Sequence, residues 1–214
     1  MNWYFLLFAL VWIPVSVTAA VYGGRHWYFI FCLTPGFLIF NGVLLAAERA
    51  KKEWLTWGAL AATMIGDYFL VCKSYGRNDI GFLGGVAGFS LAQIFFITYF
   101  ASCRGFSPKI LCAALAAALA VLIPAWQTIP LHTAVSLVVY GVLSAISLSG
   151  AVRACTFWFP AGVGLLFLSD ITIALNWIIT PDINPVTSIT YLSSLFCFAA
   201  GTATAAKKLH APAE

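Results

Sequence analysis

The sequence predicts an all-α integral membrane bundle of about eight transmembrane helices, and three observations carry that prediction. Hydrophobic residues make up 62% of the chain and charged ones only 8%, where an ordinary soluble domain is about 25% charged. The same figures exclude a disordered chain, which needs low hydrophobicity and high charge. Polar or charged breaks cut the chain into eight apolar runs, and a bilayer-spanning helix needs about 20 apolar residues. Eight such helices take up roughly 160 residues, so no soluble catalytic domain fits between them. Aromatic residues reach 16%, which suits rings at lipid interfaces. The chain 1–214 therefore reads as a single transmembrane domain.

The first run, 3–22, ends near Thr18-Ala19-Ala20 like a signal peptide. It lacks a basic leading segment and more spans follow, so it reads as the first helix. In the second run, 27–46, Thr34 and Asn41, with Glu48 just beyond it, repeat every seven residues. The third, 54–72, carries Thr56, Thr63 and Asp67 on one face, continued by Ser74. The fourth, 81–101, begins with Gly81, Gly84, Gly85 and Gly88, and Gln93 is its most polar residue. Gly84-x-x-x-Gly88 is a spacing for close helix packing. The fifth is 109–126, and the sixth, 131–149, bears the stripe His132, Ser136, Tyr140, Ser144 and Ser147. The seventh, 155–179, contains Asp170, and the eighth, 186–206, aligns Thr187, Thr190, Tyr191 and Ser194. Pro14, Pro35, Pro124 and Pro160 lie in or near the runs as expected kink points.

Charge sets the orientation. With eight spans, one side carries Arg49, Lys51, Lys52, Arg104, Lys109, Arg153, Lys207 and Lys208, and the other carries Arg25, Lys73 and Arg77. The excess marks the cytoplasmic side and puts both termini there. Short loops lean toward a bacterial inner membrane. The basic residues form no dense patch, which argues against nucleic acid. Cys32, Cys72, Cys103, Cys112, Cys155 and Cys197 show no C-x-x-C spacing and read as small apolar residues.

Charge within a span is costly. Glu48, Glu53, Asp79, Asp182 and Glu214 escape that cost as solvated residues near loops or the tail. Asp67 and Asp170 do not. They lie 13 residues past Trp54 and 15 past Cys155 in spans that run the same way, so both sit roughly 20 Å along their helices. The carboxyls could then face each other at one level in the outer half of the bilayer. Their interval of 103 residues is close to half the chain, which suggests two parallel four-helix repeats. The polar stripes around them suggest a shared polar pocket.

The segment 164–176, Gly-Leu-Leu-Phe-Leu-Ser-Asp-Ile-Thr-Ile-Ala-Leu-Asn, resembles the second signature of the YhhN family of membrane proteins, which includes lysoplasmalogenases. Met64-Ile65-Gly66-Asp67-Tyr68-Phe69-Leu70 resembles the first signature, and Tyr140 matches a tyrosine common in the sixth helix. The chain departs from common family patterns at Thr34-Pro35, at Ala92-Gln93, and at Thr190-Tyr191-Leu192-Ser193-Ser194. Those departures bear on substrate and activity.

The resemblance implies hydrolysis of the vinyl ether bond of lysoplasmalogens to a fatty aldehyde and a glycerophospho-ethanolamine or -choline. Its partners would be a lysophospholipid substrate and membrane lipid, with no cofactor. The residues suit that reaction. Vinyl ethers are cleaved by protonation at carbon, and the resulting oxocarbenium ion is attacked by water. Two adjacent buried acids share one proton and so supply a general acid and a carboxylate, as in glycosidases. Asp67 and Asp170 take those roles, in an order the sequence leaves open. Asn41, Gln93, Tyr140, Ser169, Asn176 and Tyr191 are candidates to orient water or bind the head group. No metal is needed: His26, His132 and His210 are scattered. No Gly-x-Ser-x-Gly signals a serine hydrolase. A proton-coupled small-solute transporter would use the same acid pair, and a scaffold protein would tolerate its loss.

Overall fold

A computed structural model describes residues 26–48, 51–73, 79–126, 129–154, 156–179 and 185–208. They form seven helices: α1 (His26–Glu48), α2 (Trp54–Asp67), α3 (Asp79–Ala101), α4 (Pro108–Ala125), α5 (Leu131–Ala151), α6 (Trp158–Ile179) and α7 (Pro185–Lys208). No strand occurs among the described residues. The seven helices coincide with the second to eighth apolar runs. The first run, 3–22, lies outside the described residues.

Apolar side chains dominate α1 and α3 on all sides, with Thr34, Asn41 and Gln93 as buried exceptions, the pattern of a helix that is buried or spans a membrane. Ile80–Ala101 and Leu131–Ala151 are long and apolar enough to cross one. Gly36–Ala47, Pro108–Pro124, Trp158–Ile173 and Ile189–Ala205 are shorter apolar stretches. Large apolar side chains such as Ile39, Val43, Ile80, Ile123, Leu131 and Ile189 point outward.

Three local readings are corrected. The third run is not one α-helix: after Asp67 the chain passes into a π-helical turn, Tyr68–Lys73, a widened form that often marks functional sites. Pro160 does not kink α6. It falls in the first turn, where a missing N–H leaves no helical bond unmade, and α6 starts at Trp158 rather than at 155. Glu53 is not solvated. It is buried at the N-cap of α2, its Oε2 has no hydrogen-bond partner among the described residues, and its carbonyl accepts the Thr56 hydroxyl at 2.6 Å.

The most extensive pairings are α2 with α3 and α6 with α7; α1 also packs on α2, α5 on α6, α3 on α5 and α7 on α1. A shift of four runs along the chain converts α2–α3 into α6–α7 and α1–α2 into α5–α6, and four runs forward for α3 and back for α5 convert α3–α5 into α7–α1. The core lies where α3, α6 and α7 meet. Phe96 stacks on Phe198 at 4.5 Å, and Phe159 packs against Tyr99 at 5.1 Å and Phe100 at 5.6 Å. Each such pair contributes about 0.5–1.5 kcal/mol beyond its buried area.

The α2–α3 crossing is set by glycine. A Cβ on Gly88 would lie 2.5 Å from the backbone nitrogen of Gly66, and one on Gly66 would lie 3.1 Å from the carbonyl oxygen of Gly85. Backbone therefore meets backbone immediately beside Asp67. Gly84, expected to share this role, instead faces the ring of Phe69.

Candidate active site

Asp67 ends α2 and is only 4% exposed. The Tyr191 hydroxyl, from α7, donates to its Oδ2 at 2.5 Å. The Thr34 hydroxyl, from α1, donates to the same oxygen at 3.4 Å. Three helices thus converge on one carboxyl, and the glycine crossing fixes where α2 delivers it.

Asp170 lies within α6 and is half-buried. The Tyr140 hydroxyl, from α5, donates to its Oδ2 at 2.5 Å. Gln93 on α3 donates its Nε2 to the Tyr140 hydroxyl at 3.5 Å, and Phe89 packs on the Tyr140 ring at 6.4 Å. The Gln93 Oε1 is buried with no hydrogen-bond partner among the described residues.

A cavity of about 80 Å³ lies beside Asp170, room for several water-sized groups. Its walls come from α3 (Phe82, Val86, Phe89), α4 (Ala118, Val121, Leu122), α5 (Leu137, Tyr140, Gly141), α6 (Asp170, Ile171, Ile173) and Leu70 of the π-helical turn. Among the described residues, Tyr140 and Asp170 bring the only polar side chains. Asp67 is not in the wall.

The remaining expected site residues fall elsewhere. Ser169 is fully buried, and its hydroxyl donates to the Thr187 carbonyl at 3.2 Å, tying α6 to α7. Thr172 strengthens the tie through the Thr187 hydroxyl at 2.7 Å. Asn41 donates to the Phe37 carbonyl at 2.9 Å within α1, roughly 10 Å along the helix from Thr34. Asn176 continues α6, and its side chain lies outside the described residues. Thr34 was legible only as part of a seven-residue stripe. That stripe marked the inward face of α1 but not which of its members meets an acid. Among the described residues no three His, Cys, Asp or Glu side chains gather as a metal site.

The model of the YhhN family matches residues 26–202. Neither the curated proteins nor the solved structures hold a match for the chain.

Proposed function

Because the chain belongs to the YhhN family, we propose that it is a membrane-embedded hydrolase that cleaves the vinyl ether bond of lysoplasmalogens. The products are a fatty aldehyde and a glycerophospho-ethanolamine or -choline. The observation that carries this reading is the acid pair. Two carboxyls within the helices are each gripped by a tyrosine hydroxyl at 2.5 Å, and one of them borders an apolar cavity.

Two buried acids that share a proton present one carboxylic acid and one carboxylate. The acid protonates the alkene carbon. The carboxylate steadies the oxocarbenium ion and guides water to it. The hemiacetal then collapses to aldehyde and alcohol. Tyr140 and Tyr191 hold the carboxyls in place, so little reorganisation is needed as charge develops.

In this reading the chain 1–214 is one transmembrane domain of eight spans, built as two parallel repeats, in a bacterial inner membrane with both termini cytoplasmic. The repeating pairing of helices supports the duplication. The excess of Lys and Arg on one side supports the orientation. The lysophospholipid enters sideways from the bilayer.

Purified protein in detergent tests the reading by aldehyde release from a lysoplasmalogen. Release by wild type, lost in folded Asp67→Asn and Asp170→Asn, is the expected result. No release by wild type, together with proton-coupled solute flux in proteoliposomes, would replace the hydrolase with a transporter.

A further inference from the structure

We propose that the cavity beside Asp170 seats the carbon chain immediately beyond the vinyl ether, with Gly141 setting its room, and that Asp170 is the proton donor. This rests on the hydrolase reading and gives the two acids separate tasks.

The argument starts from the cavity wall. Apart from Tyr140 and Asp170 it is made of aliphatic and aromatic side chains and Gly141. Such a surface binds hydrocarbon and rejects a phosphate-bearing head group, whose desolvation nothing there would offset. A chain lying in the cavity therefore directs the head group away from it. The order of atoms along the substrate then decides which carbon meets Asp170. In a vinyl ether the carbon that accepts the proton is on the chain side, and the oxygen is on the glycerol side. A chain seated in the cavity brings that carbon to the carboxyl in the wall. Asp67 is absent from the wall and enclosed by Tyr191 and Thr34. Its place suits a carboxylate that offsets the cation's charge through space rather than by contact.

The step balances. The Asp170 carboxyl proton forms the new C–H bond with the alkene π electrons. The positive charge spreads over the adjacent carbon and the ether oxygen, and the Asp67 carboxylate offsets it through space. Water bonds to that carbon and returns a proton to Asp170. The hemiacetal hydroxyl proton passes to the departing glycerol oxygen as the C–O bond breaks. One water is consumed and both carboxyls are restored.

Gly141 is suited to set the room. It adjoins Tyr140 on α5, and a Cβ added there would lie 3.5 Å from the Ala118 Cβ and 4.0 Å from the Leu122 Cδ1. That is ordinary contact, so a Cβ is accepted there without moving backbone, and the atoms of a longer side chain must share the space of Ala118, Leu122 and the cavity they line. Ala118 of α4 adjoins Gly141 and also lines the cavity, so it offers the same control from the neighbouring helix.

The test uses purified protein with propenyl and hexadecenyl lysoplasmalogens, the former too short to fill the cavity, and with the uncleavable hexadecyl ether as inhibitor. Gly141→Leu and Ala118→Leu should each lower the long-to-short ratio of kcat/KM by about ten-fold or more and weaken inhibition by the hexadecyl ether. Separately, Asp170→Gly should regain aldehyde release with added acetic acid, and the regain should fade as pH rises and acetic acid ionises. An unchanged chain-length ratio in both folded leucine variants would overturn the chain site. Failure of acetic acid to restore Asp170→Gly, or restoration only of Asp67→Gly, would overturn the proton assignment. A wild type inactive on both chain lengths would instead sink the hydrolase reading beneath it.

Discussion

Around Asp67, α1 and α7 close on the carboxyl with two hydroxyls, and almost none of the residue is exposed. Around Asp170, among the described residues, one hydroxyl from α5 holds the carboxyl, and the other side opens on an apolar cavity. The supports are alike. In each case a small residue precedes the acid and packs on the next helix: Gly66 against the backbone of α3, Ser169 through its hydroxyl against α7. In each case a tyrosine bonds Oδ2 at 2.5 Å. The same frame thus makes one enclosed carboxyl and one that faces free volume. A matched pair of acids acquires different surroundings from what the neighbouring helices leave open, not from the acids themselves.

The strongest way to probe the comparison is to remove the charges in turn. Asp67→Asn and Asp170→Asn should each lower aldehyde release by about 10²- to 10⁴-fold, read by product formation in folded protein. A variant that keeps wild-type turnover would remove that acid from the reaction.

The support can be broken next. Gly88→Leu drives a side chain into the Gly66 backbone, which cannot yield as a side chain would. It should abolish recovery of monodisperse protein in detergent, and Gly88→Ala should cost about 1–3 kcal/mol in thermal unfolding. Recovery of Gly88→Leu at wild-type yield would mean that α2 and α3 do not cross there.

The two tyrosines sharpen the contrast. Tyr191→Phe leaves an enclosed carboxyl short of a donor and should cost about 1–3 kcal/mol of stability. Tyr140→Phe should cost less, because Asp170 is half-buried. Comparison of the two melting shifts checks the order, and equal shifts would mean that Asp170 is as enclosed as Asp67. The smallest effect belongs to Gly141→Ala. The added Cβ meets only ordinary contacts, and replacing a helical glycine should stabilise by about 0.5–1 kcal/mol. A lower melting temperature would mean that the cavity wall is packed tighter than its geometry indicates.

The sequence alone determined the helices. The described ones fall on the apolar runs to within a few residues, because a polar break between hydrophobic stretches is a property of consecutive residues. It also singled out Asp67 and Asp170, since an acid far from any polar break stands out in one dimension. The partners of those acids were a different matter. Tyr140 and Tyr191 were both candidates, yet which meets which acid depends on how α5 and α7 are rotated and which helices adjoin. Ser169 sits beside an acid in sequence and turns its hydroxyl to α7 instead. Thr34 and Asn41 share one face of α1, and only Thr34 reaches a carboxyl. The π-helical turn after Asp67 follows no seven-residue pattern, and the cavity beside Asp170 is volume that five separate segments fail to fill. Those features came only from the tertiary structure. Hydrophobic periodicity sets which stretches become helices, whereas helix rotation, close approach at glycine and unfilled volume arise only when distant stretches pack together.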